Sequence, residues 1–86
     1  MERQLADHAL HRLRECGLPV EAVTLVLQEP ERIDTQNPGS WNERYRCFRR
    51  LGALLVVVVW HWDDDVQVVI TVMVSPAPRG RRKRRL

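Results

Sequence analysis

The chain has 86 residues, of which 44% are hydrophobic, and it carries a formal net charge of +3 at pH 7. This length suffices for one domain with a small core and excludes a second domain. Six of the 14 basic residues fall within residues 79–85, so the residues before that segment hold 8 basic and 11 acidic side chains. The body is therefore mildly acidic, and attraction to polyanions is expected from the C-terminal segment and from local arginine clusters.

The pattern of apolar and metal-binding residues excludes several classes of protein. The longest apolar run, residues 51–60, is far shorter than the roughly 20 residues of a membrane-spanning helix. Cys16 and Cys47 follow no apolar signal segment, which favours reduced thiols in a cytoplasmic protein. Since the chain has neither a glycine-rich phosphate loop nor a metal-ligand spacing, we expect no cofactor and no metal, and a conventional metabolic enzyme is excluded.

The first thirty residues have the apolar period of two helices. Apolar side chains recur at helical spacing through residues 4–16, and Gly17 followed by Pro19 ends that helix. A second helix of about ten residues is predicted next, and Pro30 ends it.

After Pro30 the period changes to that of strands. Four strands are predicted, at residues 32–35, 41–49, 54–62 and 66–74. The third strand is apolar at almost every position, which predicts a central strand covered on both faces. Alternation in the fourth strand predicts one shared face for Val66, Val68, Ile70, Val72 and Val74.

The order of these elements predicts an α+β fold in which two N-terminal helices pack on one face of a mainly antiparallel four-stranded sheet. Residues 1–75 would form this single domain, and residues 76–86 a Pro-containing linker with a disordered basic tail. Four apolar residues are expected to be buried together: Leu13, Val57, Val68 and Ile70.

Two pairs of polar side chains could carry chemistry. His8 and Arg12 lie one helical turn apart on one flank of the first helix, where a side chain can reach a cleft or simply cover the edge of the core. Arg44 and Arg46 share one strand face about 7 Å apart, so both could contact one phosphate backbone. Arginines on a solvent-facing strand also serve solubility, and that alternative stays open.

Short motifs in the helices and strands resemble a family of small bacterial and phage domains. The helical motifs are His8-Ala9-Leu10, Arg12, Arg14-Glu15-Cys16-Gly17-Leu18 and Leu27-Gln28-Glu29-Pro30-Glu31, and the strand motifs are Tyr45-Arg46 and Val69-Ile70-Thr71-Val72. The similarity covers residues 5–74, with departures at Cys16, where arginine is frequent, and Met73, where an aromatic is common. That family is similar to the BrnT and RelE/ParE toxins, which are compact α+β proteins paired with antitoxins, many of them metal-free ribonucleases.

The resemblance implies a toxin-antitoxin-type RNA endonuclease, similar to an mRNA interferase, that acts on free or ribosome-bound RNA and pairs with an acidic antitoxin. His8, Arg12, Arg46 and Thr71 match that family's recurrent polar positions, and the candidate catalytic residues are His8, Arg12, Tyr45 and Arg46. In this hypothesis His8 or Tyr45 is the general acid or base, and the 2′-hydroxyl of the RNA attacks. The candidate nucleic-acid contacts are Arg44, Arg46, Arg49, Arg50, Arg81, Arg82, Lys83, Arg84 and Arg85.

Two alternatives to a nuclease remain open. The protein could be a non-catalytic module that binds RNA or a protein through the sheet and the basic tail, or an interaction domain whose sheet edge takes a partner strand. The nuclease hypothesis predicts that His8, Arg12 and Arg46 surround one cleft where the first helix meets the sheet. If Arg46 projects from the opposite face of the sheet, the binding module is favoured.

Overall fold

A computed structural model describes residues 2–77, which form two helices and one five-stranded mixed sheet. The helices are α1 (Asp7–Cys16) and α2 (Val20–Gln28). The strands are β1 (Glu2–Leu5), β2 (Arg32–Gln36), β3 (Arg44–Leu51), β4 (Leu54–Asp63) and β5 (Val66–Pro76), in the spatial order β1-β5-β4-β3-β2. The α+β class and both helices are confirmed, but the predicted four-stranded antiparallel sheet is wrong.

The additional strand is β1, which runs parallel to β5. Leu5 pairs with Val69, and the Ala6 N–H donates to the Val69 carbonyl at 2.9 Å. The sequence predicted a helix from residue 4, whereas α1 begins at Asp7, whose carboxylate suits the positive end of the helix dipole. β1 is therefore an edge strand of the sheet, and β5 has a partner on both sides.

A glycine turns the chain from α1 into α2, as predicted. Gly17 has φ 69°, and its N–H reaches the carbonyls of Leu13 and Arg14 at the end of α1. Glycine adopts this left-handed conformation without strain, so the helix ends there and the chain reverses. As a result α1 packs over β5, and α2 packs over β4 and β3.

The core lies between these helices and one face of the sheet. The helices contribute Ala9, Leu13, Val23 and Val26, and the strands contribute Cys47, Val56, Val58, Val69 and Val72. Burying one valine stabilises the fold by about 1.5 kcal/mol or more, so this single layer supplies most of the apolar burial available to so small a domain.

No helix or strand formed by residues 2–77 covers the opposite face of the sheet. Val57 and Val59 point to this uncovered face, where they are only 7% and 6% exposed because side chains on the neighbouring strands flank them. The prediction that β4 is covered on both faces is therefore wrong. Val57 is buried, but not together with Leu13.

A β-bulge divides β5 between the two faces. The pairing with β4 shifts between Val59 and Trp60, which leaves Ile70 as an extra residue in β5. Because side chains alternate along a strand, one extra residue reverses the pattern on either side of it. The prediction that five residues of this strand share one face is therefore wrong. Val72 and Val74 pack against the core, whereas Val66, Val68 and Ile70 lie on the uncovered face.

The last described residues remain paired to the sheet. Pro76 is opposite Leu54, and the Ala77 N–H donates to the Ala53 carbonyl at 2.9 Å. The predicted boundary after residue 75 is therefore slightly early, and the predicted disordered tail lies outside the described residues. Through Ala77 the chain leaves the sheet beside the turn between β3 and β4.

Neither helix of residues 2–77 is long and apolar enough to cross a membrane.

Candidate functional site

Alternation along β3 decides which candidate side chains can meet. Cys47 lies in the core beneath the helices, so Arg46 and Phe48 project from the uncovered face. Tyr45 lies on the helix side, opposite Trp60, which packs against the core. Tyr45 and Arg46 are adjacent in sequence but lie on opposite faces of the sheet.

His8 and Arg12 lie on the helix side, along β5. Arg12 Nε donates to the Val72 carbonyl at 3.3 Å, and Arg12 Nη1 donates to Glu15 at 3.0 Å. His8 is exposed and has no side-chain hydrogen bond within residues 2–77. Since β4 separates β5 from β3, Arg46 is about 10 Å away by strand spacing alone, and on the other face. The predicted cleft around His8, Arg12 and Arg46 is therefore wrong.

Tyr45 is bonded to a carboxylate. Its O–H donates to Glu43 Oε1 at 2.8 Å, and the Gly39 N–H donates to Glu43 Oε2 at 3.0 Å. The hydrogen bond from Gly39 contributes most to lowering the pKa of Glu43, and the hydrogen bond from Tyr45 lowers it further. The same bond to Glu43 raises the pKa of Tyr45 above its ordinary value. The phenol stays protonated at neutral pH with its proton directed at Glu43, which disfavours a role as general acid or base.

Four arginines of β2 and β3 share the uncovered face with Phe48. The strand register places them together: Arg32, Arg44, Arg46 and Arg50. The guanidinium carbon of Arg32 lies 4.1 Å from the centre of the Phe48 ring, and that of Arg46 lies 5.6 Å from it. Both distances are within the range of cation–π contacts. We call these four arginines and Phe48 the arginine face.

The arginine face keeps an excess of positive charge. Arg46 forms an ion pair with Asp34, and Arg50 Nε lies 3.4 Å from Glu31 Oε1. Arg44 is exposed, and within residues 2–77 its side chain has neither a hydrogen bond nor an ion pair. Asp34 and Glu31 therefore neutralise two of the four arginines, and Arg44 is available to a ligand.

Arg49, a predicted nucleic-acid contact, lies on the helix side and has a structural role. Its Nη1 donates to the Glu29 carbonyl at 2.7 Å, at the C-terminal end of α2. The last turn of α2 contains no basic residue. The guanidinium therefore satisfies an unpaired carbonyl and complements the negative end of the helix dipole.

The remaining candidates divide into described and undescribed residues. Residues 81–85, the predicted basic contacts of the tail, lie outside the described part of the chain. Among residues 2–77, no group of three or more His, Cys, Asp or Glu side chains could hold a metal ion. Both Cys16 and Cys47 are free thiols.

Sequence reasoning missed Arg32 and Phe48 as members of the site. The spacing of Phe48 from Arg44 and Arg46 already indicated a common strand face. Arg32 could not be added without the register between β2 and β3, which places it directly opposite Phe48.

Comparisons of the chain with protein-family models, with curated proteins and with solved structures find no significant match. The resemblance to toxins thus stays a prediction, and the geometry of residues 2–77 carries the functional argument.

Proposed function

We propose that the protein is a non-catalytic module that binds single-stranded RNA on the arginine face, with residues 79–85 adding affinity. The position of Arg46 carries this proposal. Arg46 lies with Arg44 and Phe48 on the uncovered face of the sheet, whereas His8 and Tyr45, which a nuclease would need beside it, lie on the helix side.

The arginine face combines the two features that single-stranded RNA requires. Arg44 and Arg46 place two cations about 7 Å apart along β3, which suits contacts to successive phosphates. Phe48, with the planar guanidinium of Arg32 over its ring, offers a flat surface on which a base can stack. Since no element of residues 2–77 covers this face, a strand of RNA can reach it directly.

Ala77, the last described residue, lies next to this surface. Ala77 is bonded to Ala53 in the turn after β3, close in sequence to Arg50. Residues 79–85 carry six basic side chains. Each phosphate that they neutralise releases counterions, so the segment extends the same salt-dependent attraction.

Fluorescence anisotropy with a short labelled single-stranded RNA at several salt concentrations tests the proposal. The double variant Arg44→Ala/Arg46→Ala should bind at least about tenfold more weakly. A plot of log K against log salt concentration should also be less steep by about 1.4, since each phosphate contact contributes about 0.7 to the slope for a single strand. Arg14→Ala is the matched control, because Arg14 is an exposed arginine on α1, away from the arginine face.

Two results would overturn this proposal. One is equal binding by the double variant and the Arg14→Ala control. The other is cleavage of the RNA by purified, folded protein in buffer with EDTA, abolished by His8→Ala, which would restore the nuclease hypothesis.

The aliphatic half of the uncovered face favours a second candidate, an acidic protein segment. Val57, Val59 and Met73 lie beside the arginines, and Met73 is 42% exposed. An extended peptide that carries both leucines and glutamates on one face, at every second position, would place apolar groups on these residues and carboxylates on Arg44 and Arg46. Binding of such a peptide more tightly than RNA, with loss on Met73→Gln, would favour this candidate over RNA.

A further inference from the structure

His61 lies on the uncovered face of the sheet, beside Arg44. Val59 points to this face, and side chains alternate along β4, so His61 points to it as well. Tyr45 pairs with Trp60, and the next residues along these antiparallel strands, Arg44 and His61, therefore lie opposite each other. Side chains in this relation have Cβ atoms about 5 Å apart. The imidazole of His61 thus continues the row of cations from β3 onto β4.

The ring of His61 is available to a ligand. It is partly buried, and within residues 2–77 it has neither a hydrogen bond nor an ion pair. His11 on α1 differs in this respect, because its Nε2 lies 3.4 Å from Glu15 Oε2. An imidazole without a partner in the protein can give its N–H groups to a ligand on the uncovered face.

Few described charges face His61. The neighbouring strand β3 contributes Arg44, and β4 itself contributes Asp63, which points to the same face two residues further along, about 7 Å away. On β5 the residue opposite His61 is Val68, and the described side chains next to it on this face are apolar. Arg44 repels a proton on the ring and Asp63 attracts one, so the two charges act in opposite directions.

One further charge is a large addition at this site. Two of the four arginines in the arginine face are paired with carboxylates, which leaves Arg32 and Arg44 as its unpaired cations within residues 2–77. Arg32 lies over the ring of Phe48, so Arg44 is the better placed of the two for a phosphate. A protonated His61 would add a third unpaired cation, next to Arg44.

We propose that His61, in its protonated form, is a phosphate-binding side chain of the RNA site, so that RNA binds more tightly at mildly acidic pH. This inference rests on the proposed RNA binding. The imidazolium and Arg44 would hold one phosphate between them, since both are positively charged and donate N–H groups. Histidine ordinarily changes its charge between pH 5 and 8, so the contact forms and breaks within that range. Bound phosphate in turn favours the proton on the ring, so the proton and the RNA bind cooperatively.

Fluorescence anisotropy with a labelled uridine oligonucleotide at about pH 8 and about pH 5.5 tests the proposal. Uracil gains no charge over this range, and aspartate and glutamate ordinarily titrate near pH 4, below it. The unmodified chain should bind about fivefold more tightly at the lower pH, the upper range for an exposed ion pair. The plot of log K against log salt concentration should also be steeper there by about 0.7, because one more phosphate contact is made.

Substitutions at His61 separate the effect of its charge from that of its ring. His61→Gln, which keeps a hydrogen-bonding group without a charge, should bind equally at both pH values, as the unmodified chain does at the higher one. His61→Lys, which is charged throughout this range, should also bind equally at both, as the unmodified chain does at the lower one. His11→Gln is the matched control, since His11 is exposed on α1, and it should keep the full pH dependence.

The possible results distinguish this proposal from the proposed RNA binding. RNA affinity that does not change with pH, or a pH dependence that His61→Gln retains, would overturn the role of His61 and leave the RNA site in place. Equal weakening of His61→Gln at both pH values would indicate a contact made by the neutral ring, and it would also overturn that role. No RNA binding by the unmodified chain at either pH would overturn both proposals.

Discussion

Tyr45 is the single tyrosine of the chain, so its ionisation can be followed by absorbance without another phenol. We expect a midpoint above the ordinary tyrosine value, because the bond to Glu43 raises its pKa. The stabilisation from this bond should be present below the unfolded-state value, about 10, and be lost as pH rises through the folded-state pKa. Glu43→Gln should lower the midpoint, whereas Glu21→Gln, on α2, should not; equal midpoints would show that Glu43 does not hold the phenol.

Arg44 and Arg49 illustrate how two nearby arginines on one strand can have separate roles. Arg49→Ala should lower the free energy of unfolding by about 1 kcal/mol, because the C-terminal end of α2 loses its hydrogen bond and its cation. Its effect on RNA affinity should be small. Arg44→Ala should weaken RNA binding and leave the free energy of unfolding nearly unchanged. Denaturant titrations would measure the stability of both variants, and fluorescence anisotropy would measure their RNA affinity. Loss of stability in both variants, or loss of affinity in both, would contradict the assignment of the two faces.

At the residue scale, part of the candidate site was predictable. The common face of Arg44 and Arg46 follows from their spacing, and the common flank of His8 and Arg12 from the helical period. The relation between the pairs was not predictable, because it depends on which face of the sheet the helices cover. That choice puts Cys47, the small side chain between Arg46 and Phe48, in the core, and the sequence offers no local signal for it.

Among the elements, β4 contains neighbouring valines in very different surroundings. Val58 is fully buried in the core, whereas Val57 is almost buried on the uncovered face. Val58→Asp should leave no cooperatively folding protein, because a charge would enter the core of a marginally stable domain. Val57→Asp should lower the free energy of unfolding by about 1–3 kcal/mol and still unfold cooperatively, since its carboxylate can reach water. Thermal melts followed by circular dichroism would compare them, and equal loss of structure would mean that both faces are covered in solution.

The strands also show where prediction from sequence fails. The three hairpins of the sheet were predictable from strand periodicity and turn residues. β1 was not, because Glu2–Leu5 contains one apolar residue and merges with the helical period that follows. The bulge at Ile70 was not predictable either, since β5 is apolar on both sides of it and either register would bury similar side chains.

The pairing of β1 with β5 joins residues 64 positions apart, such as Arg3 and Gln67. During synthesis β1 is made first and must wait for β5, which at about 5–20 residues per second takes several seconds. Such long-range pairing also slows folding, because the chain must close a large loop before the contact forms. An apolar strand left unpaired for that time would be prone to aggregate. Glu2–Leu5 is largely polar, so it can stay unpaired during synthesis with little tendency to aggregate. The sheet is completed when β5 has been made and pairs with β1.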